Sequence, residues 1–183
     1  MTRDDAWKLL TQYTKKDGLI KHALAVEAIM RAYAQKFGAD EDLWSVIGLI
    51  HDFDYEMYPT AENHPYRGAE ILEKMGFSEE YRRAIMSHAE YTGVPRETLL
   101  AKTLFAVDEL AGFITAVALV RPSKKIADVE VSSVKKKFKD KAFAASVSRE
   151  DIKKGIAELG ANEDEHIQLC IDAMKSIANE LGL

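Results

Sequence analysis

Apolar residues recur along this chain at the 3.6-residue period of a helix, and no segment shows the alternation of a half-buried strand. That pattern restricts the fold to packed helices. A first helix is expected over Arg3 to Thr14, stopped by the Lys16-Asp17-Gly18 turn. A second runs from about Leu19 to Phe37, with Val26, Ile29, Met30, Tyr33 and Phe37 on its inner face. Asp40 can cap a third, whose face is Leu43, Val46, Ile47 and Ile50. A fourth follows Pro65 and ends at Gly76, and Ser78 opens a fifth that reaches about Glu90. The Gly93-Val94-Pro95 turn leads to a long sixth, near Glu97 to Val120, which Arg121-Pro122 breaks. One or two short helices over a basic stretch, then Ser148 to Leu159 and Asn162 to Leu181, finish an all-α, compact multi-helix bundle with additional C-terminal helices. At 183 residues, with no linker, the chain is expected to form one domain over 1–183, with a core at about 19–120 and C-terminal elements at 121–183.

Several of these inner stripes carry polar residues. The spacing 22, 26, 29, 33 places His22 in line with Val26 and Ile29, and 43, 47, 50, 51 carries His51 to the inner end of the third stripe with Asp52 beside it. Tyr81, Ala84, Ile85 and His88 share a face of the fifth helix, and Leu104, Asp108, Ala111 and Thr115 share one of the sixth. Four helices are therefore expected to point an imidazole or a carboxylate inward. One inward histidine is ordinarily a hydrogen-bonded core residue. Aspartates are costlier, because a buried carboxylate needs a cationic partner, and no Lys or Arg lies on the stripes of Asp52 and Asp108. Four of the five histidines fall between positions 22 and 88, leaving only His166 apart. A divalent cation accounts for all of them together, since it takes neutral imidazole and ionised carboxylate from separate elements.

Composition narrows the setting. With 47% hydrophobic and 30% charged residues the chain is globular, and its longest apolar run, Leu110 to Val120, is far short of the ~20 residues that span a bilayer. No membrane association and a cytoplasmic location are expected. Cys170 is the only cysteine, which excludes an internal disulfide and a multi-cysteine zinc site, so any metal is held by His and carboxylate. The net charge of -5 conceals a basic segment: from Arg121 to Lys141 eight basic residues face three acidic ones, leaving that segment at +5 and the rest at -10. The overall balance argues against a nucleic-acid partner. Lys135, Lys136, Lys137, Lys139 and Lys141 are read as a solvated face, whereas Lys124 and Lys125, following the helix of Asp108, are candidates for attracting an anionic substrate. No heptad pattern marks an interface, though the helix faces leave area for a homo-oligomer.

His22, the His51-Asp52 doublet and Asp108 within "AVDELAGFI" together resemble the HD-domain superfamily of metal-dependent phosphohydrolases, over about Leu19 to Val120. "HPYRGAEIL" and "AIMSHAE" supply His64 and His88, which look like the extra histidines of its two-metal branch. The resemblance implies one or two divalent ions, of Mn, Fe, Mg, Co, Ni or Zn, with His22, His51, Asp52 and Asp108 holding the first and Asp52 bridging to a second on His64 and His88. The lysine that follows the doublet in the cyclic-dinucleotide branch is replaced by Phe53-Asp54-Tyr55, which points away from that substrate. "HDFDYEMYP" and the basic segment look like those of small stand-alone HD proteins.

The implied activity is hydrolysis of a small phosphorylated molecule, a nucleotide among the candidates, by metal-activated water. Asp52 is the expected catalytic ligand and Asp54 a candidate for accepting a proton or orienting the water. Arg67, one turn after His64, is a candidate phosphate contact and otherwise a surface guanidinium. Tyr55, Met57, Tyr58 and Tyr66 serve as core or pocket wall, core being preferred for Met57. Two other readings are a mixed-valent di-iron oxygenase of the same fold, which resembles this chain in using the same six ligand positions, and a non-enzymatic helical binding or regulatory module whose metal is structural or absent.

Overall fold

A computed structural model describes all 183 residues, Met1–Leu183. It consists of ten α-helices joined by turns, with no strand: α1 (Arg3–Tyr13), α2 (Asp17–Phe37), α3 (Glu41–Ile50), α4 (Tyr66–Lys74), α5 (Glu79–Met86), α6 (Leu99–Leu119), α7 (Val131–Phe138), α8 (Arg149–Leu159), α9 (Glu163–Ser176) and α10 (Ala178–Leu181). Asp40 caps α3 as expected, and Ser78, Ser148 and Asn162, each expected at the start of a helix, likewise accept a backbone N–H from the first turn that follows. Three boundaries differ from expectation: Asp17 and Gly18, expected in a turn, already belong to α2. The fifth helix stops at Met86, and the last splits at Ile177 into α9 and α10.

One apolar core of 40 buried residues draws on every helix. At its centre is α6, apolar on almost all sides, packed against α2, α5, α8 and α9. The α6–α8 crossing is close because of Gly155, where a Cβ would come within 2.6 Å of the Ala106 backbone. Two buried polar side chains tie the helices of this core together. Glu27, 7% exposed, accepts from Arg3 (2.5 and 2.9 Å) and from Ser45 Oγ (2.8 Å), tying α1, α2 and α3 together. His166, fully buried on α9, accepts at Nδ1 from the Tyr33 hydroxyl and donates from Nε2 to the Ala106 carbonyl at 3.1 Å. It therefore links α9 to α2 and α6, away from the other four histidines, and burial pushes its pKa down to about 4.

This scaffold fixes three chain segments around the N-terminal half of α2 and the middle of α6. The turn after α3 is held by Phe53, which is fully buried against Tyr13 and whose carbonyl accepts from Thr14 Oγ1 at 2.9 Å. Glu56 anchors the same turn through the backbone N–H groups of Lys15 and Lys16. The segment after α5 is held by Arg96, whose guanidinium lies 3.7 Å from the Phe105 ring centroid, pairs with Glu158 and Glu90, and donates to the Ser87 carbonyl.

Candidate metal centre

Six side chains converge where these elements meet. Only His22 (α2) and Asp108 (α6) lie within helices; His51 caps α3, while Asp52, His64 and His88 lie in the turns after α3, before α4 and after α5. The expectation of four helices each presenting a group is corrected accordingly. The physical reason is local. After α5, the Ser87 hydroxyl donates to the Ala84 carbonyl at 2.8 Å and His88 Nδ1 to the Ile85 carbonyl at 2.5 Å, so side chains take over carbonyls that a further helical turn would have used.

The atoms that could hold a metal fall into two groups, His22 with His51 and Asp108, and Asp52 with His64 and His88. Asp108 Oδ1 lies 2.9 Å from His22 Nε2 and 3.3 Å from His51 Nε2. Asp52 Oδ1 lies 3.1 Å from His64 Nε2 and 3.0 Å from His88 Nε2, while Oδ2 faces His51 Nε2 at 3.9 Å. Asp52 thus presents one oxygen to each group. Two atoms bound to one ion at ~2.1 Å are separated by roughly 3.0 to 3.4 Å at octahedral or tetrahedral angles, which matches most of these distances.

Orientation supports the same fit. His51 Nδ1 donates to the Gly48 carbonyl at 2.8 Å, His88 Nδ1 to the Ile85 carbonyl, and His64 Nδ1 to Asp54 Oδ1 at 2.9 Å. With the proton committed at Nδ1, each Nε2 offers a lone pair to the shared space. His51 Nε2 and Asp52 Oδ1 are buried and have no aligned hydrogen-bond partner despite these close neighbours. They are aimed between groups rather than at one another. Where protons occupy the site, burial favours neutral imidazoles, but the carboxylates outweigh it: Asp52 and Asp108 raise His51 and His88, and Asp52 with Asp54 raises His64 to about 9. Burial likewise opposes ionisation of Asp52 and Asp108, yet the imidazoles hold both carboxyls well below the usual range. A cluster that retains extra protons in this way is suited to trading them for a cation.

Asp54 has a different place from the one expected. It is buried behind His64 instead of lining the cleft, with Oδ2 accepting the Gly68 N–H at 2.8 Å and Oδ1 accepting from His64. Gly68 is needed there because a Cβ would sit 2.8 Å from Asp54 Cγ. Sequence periodicity has no signal for this pairing of a turn carboxylate with a helix backbone.

The cleft over the site has a volume of about 410 Å³. It opens on the side of His22, Asp52 and Asp108, whose side chains are 21, 22 and 15% exposed. Tyr55, packed edge-on against His64, and Tyr91, which donates to the His64 carbonyl at 2.8 Å, form part of its wall. Glu90, Glu109 and Asp151 also line it; burial beside Asp108 pushes Glu109 up to about 7. Arg67, Lys124 and Lys125 do not line it. Arg67 is exposed and pairs with Glu70 at 2.9 Å, and Lys124 and Lys125 lie on the exposed turn beyond α6. Met57, expected in the core, is 54% exposed.

Comparison with known proteins gives one match. The family model described as the HD domain matches residues 19–112, just over half of the chain and the span that carries all six candidate ligands. No curated protein and no solved structure matches.

Proposed function

Since the chain belongs to the HD-domain family, a superfamily of metal-dependent phosphohydrolases, we propose that it hydrolyses a phosphoester of a small molecule, with water as the nucleophile. The observation that carries this reading is the set of buried imidazoles with Nδ1 tied to fixed acceptors and Nε2 turned to two carboxylates across an accessible cleft. His22, His51 and Asp108 would hold one divalent ion and His64 and His88 a second, with Asp52 facing both. When bound, such ions lower the pKa of water towards neutrality and offset charge on phosphoryl oxygens.

The chain's own contribution is orientation. Asp54 acts through His64, fixing its tautomer and ring plane, and is a positioning residue. Arg96 acts on His88 by clamping the Ser87 carbonyl. Tyr55 and Tyr91 shield His64 while leaving the side of Asp52 and Asp108 open to substrate. Six ligands shared between two ions leave coordination positions free, which a purely structural site does not need.

The test is release of inorganic phosphate from phosphorylated metabolites by protein loaded with Mn, Mg, Co, Ni or Fe, under air and under nitrogen. Equal release in both atmospheres, abolished in Asp52→Ala, supports the hydrolase. Turnover that requires both iron and oxygen assigns the di-iron oxygenase class instead.

A further inference from the structure

A second cavity of about 870 Å³ adjoins the metal cleft, and Val147 lines both. The two differ in charge. No lysine or arginine lines the metal cleft, whose walls beyond the ligands include Glu90, Glu109 and Asp151. The neighbouring groove, formed by α7, the 139–148 segment and the start of α8, is lined by six basic side chains against Glu150 and Glu163. Two of the six are already committed. Lys135 pairs with Glu163 and Asp164, and Arg149 is occupied with the carbonyls of Asp140, Phe143, Ala144 and Val147. Lys136, Lys139, Lys141 and Lys153 make no ion pair, although Lys137 and Lys154 beside them do. A run of lysines on a convex face would be plain solvation; here ammonium groups from separate segments surround one concavity, which focuses positive potential within it.

Resting on the phosphohydrolase reading, we infer that this groove binds a second phosphate of the same small-molecule substrate whose reacting phosphoryl group lies at the metal cleft. A second anion inside the cleft would face Glu90, Glu109 and Asp151. Past Val147 it meets Lys136, Lys139, Lys141 and Lys153 instead. The substrate class is therefore a compound with two phosphates separated by its organic body, and the arginine-held 140–147 loop forms the wall between their sites.

Two measurements on the full-length chain test this. First, isothermal titration of chelator-treated protein with inorganic tripolyphosphate should show salt-dependent binding that weakens about tenfold or more in K139E/K153E. The same titration should change less than about twofold in K124E/K125E, which lies outside both cavities. Second, in metal-loaded protein, K139E/K153E should raise KM about tenfold for a sugar bisphosphate and less than about twofold for the matching monophosphate. No tripolyphosphate binding by the wild-type chain, or equal KM effects on both substrates, overturns the inference. If tripolyphosphate binds as expected but phosphate is released only from monophosphates and from no bisphosphate, the assignment of the bound anion to a substrate is overturned while the phosphohydrolase reading stands; release from no phosphorylated metabolite overturns both.

Discussion

Replacing Gly68 by alanine should weaken the second metal site without touching a ligand. A Cβ there would stand 2.8 Å from Asp54 Cγ, 2.9 Å from Oδ1 and 3.0 Å from Oδ2, whereas ordinary contacts begin near 3.4 Å. The carboxylate must retreat by roughly 0.6 Å, and no retreat keeps both the Gly68 N–H bond at 2.8 Å and the His64 Nδ1 bond at 2.9 Å aligned. Each is a charge-assisted bond of about 1.5 to 3 kcal/mol. Loss of such an outer partner lowers metal affinity by about 10- to 100-fold. The effect should be confined to the ion on His64 and His88, because the Asp54 carboxylate bonds only His64 and the Gly68 N–H, while His51 in the other group is braced separately by the Gly48 carbonyl. Competitive titration of chelator-stripped protein with Mn or Zn should show one site at wild-type affinity and one weakened by that factor. Asp54→Asn, which retains shape but keeps only one acceptor oxygen, should behave alike. A folded Gly68→Ala protein with both affinities unchanged would refute the assignment of Asp54 as the brace of His64.

His166 sets an acid limit on stability. Its folded pKa of about 4 lies below the ordinary 6.5, so the unfolded chain binds the proton more readily; this contribution is complete above pH 6.5 and is lost as pH falls towards 4. The loss amounts to ~3 kcal/mol at 1.36 kcal/mol per unit, and urea titrations of His166→Gln should show a correspondingly flatter fall in stability over that range. Metal binding should raise Tm by roughly 5 to 10 °C at an ion concentration about 100-fold above Kd, reversed by chelator and absent in Asp52→Ala. His166→Gln should leave metal stoichiometry unchanged, since its ring nitrogens hydrogen-bond to Tyr33 and the Ala106 carbonyl and to none of the six candidate ligands.

Four of the six convergent residues, His22, His51, His88 and Asp108, were legible because each lies on, or just beyond, a stripe that should have been apolar, and a helical period is a local property; Asp52 followed as the neighbour of His51, and His64, in the turn before α4, came only from the family resemblance. His51 shows the reach of that reasoning: the stripe of Leu43, Ile47 and Ile50 leads to it even though the helix ends there. His88 shows its limit, because side-chain capping by Ser87 and His88 stopped α5 at Met86, two residues before the imidazole, while leaving the imidazole in place. Asp54 was misplaced because its partners, His64 and the Gly68 backbone, are joined through a turn with no period. The lysines were harder still. Lys124 and Lys125 are near Asp108 along the chain but not at the cleft, whereas Lys139 and Lys153 meet only because the 139–148 segment folds back against α8. Proximity in sequence was the wrong guide for charge, as it commonly is for surface groups set by tertiary packing.

The most direct measurement is an anomalous difference map from crystals of protein purified without chelator. The account predicts peaks within ~2.0 to 2.3 Å of His22 Nε2, His51 Nε2 and Asp108 on one side and of His64 Nε2 and His88 Nε2 on the other, with Asp52 between them. Density without such peaks, in which the imidazoles and carboxylates bond directly to each other with no room for an ion, would contradict it.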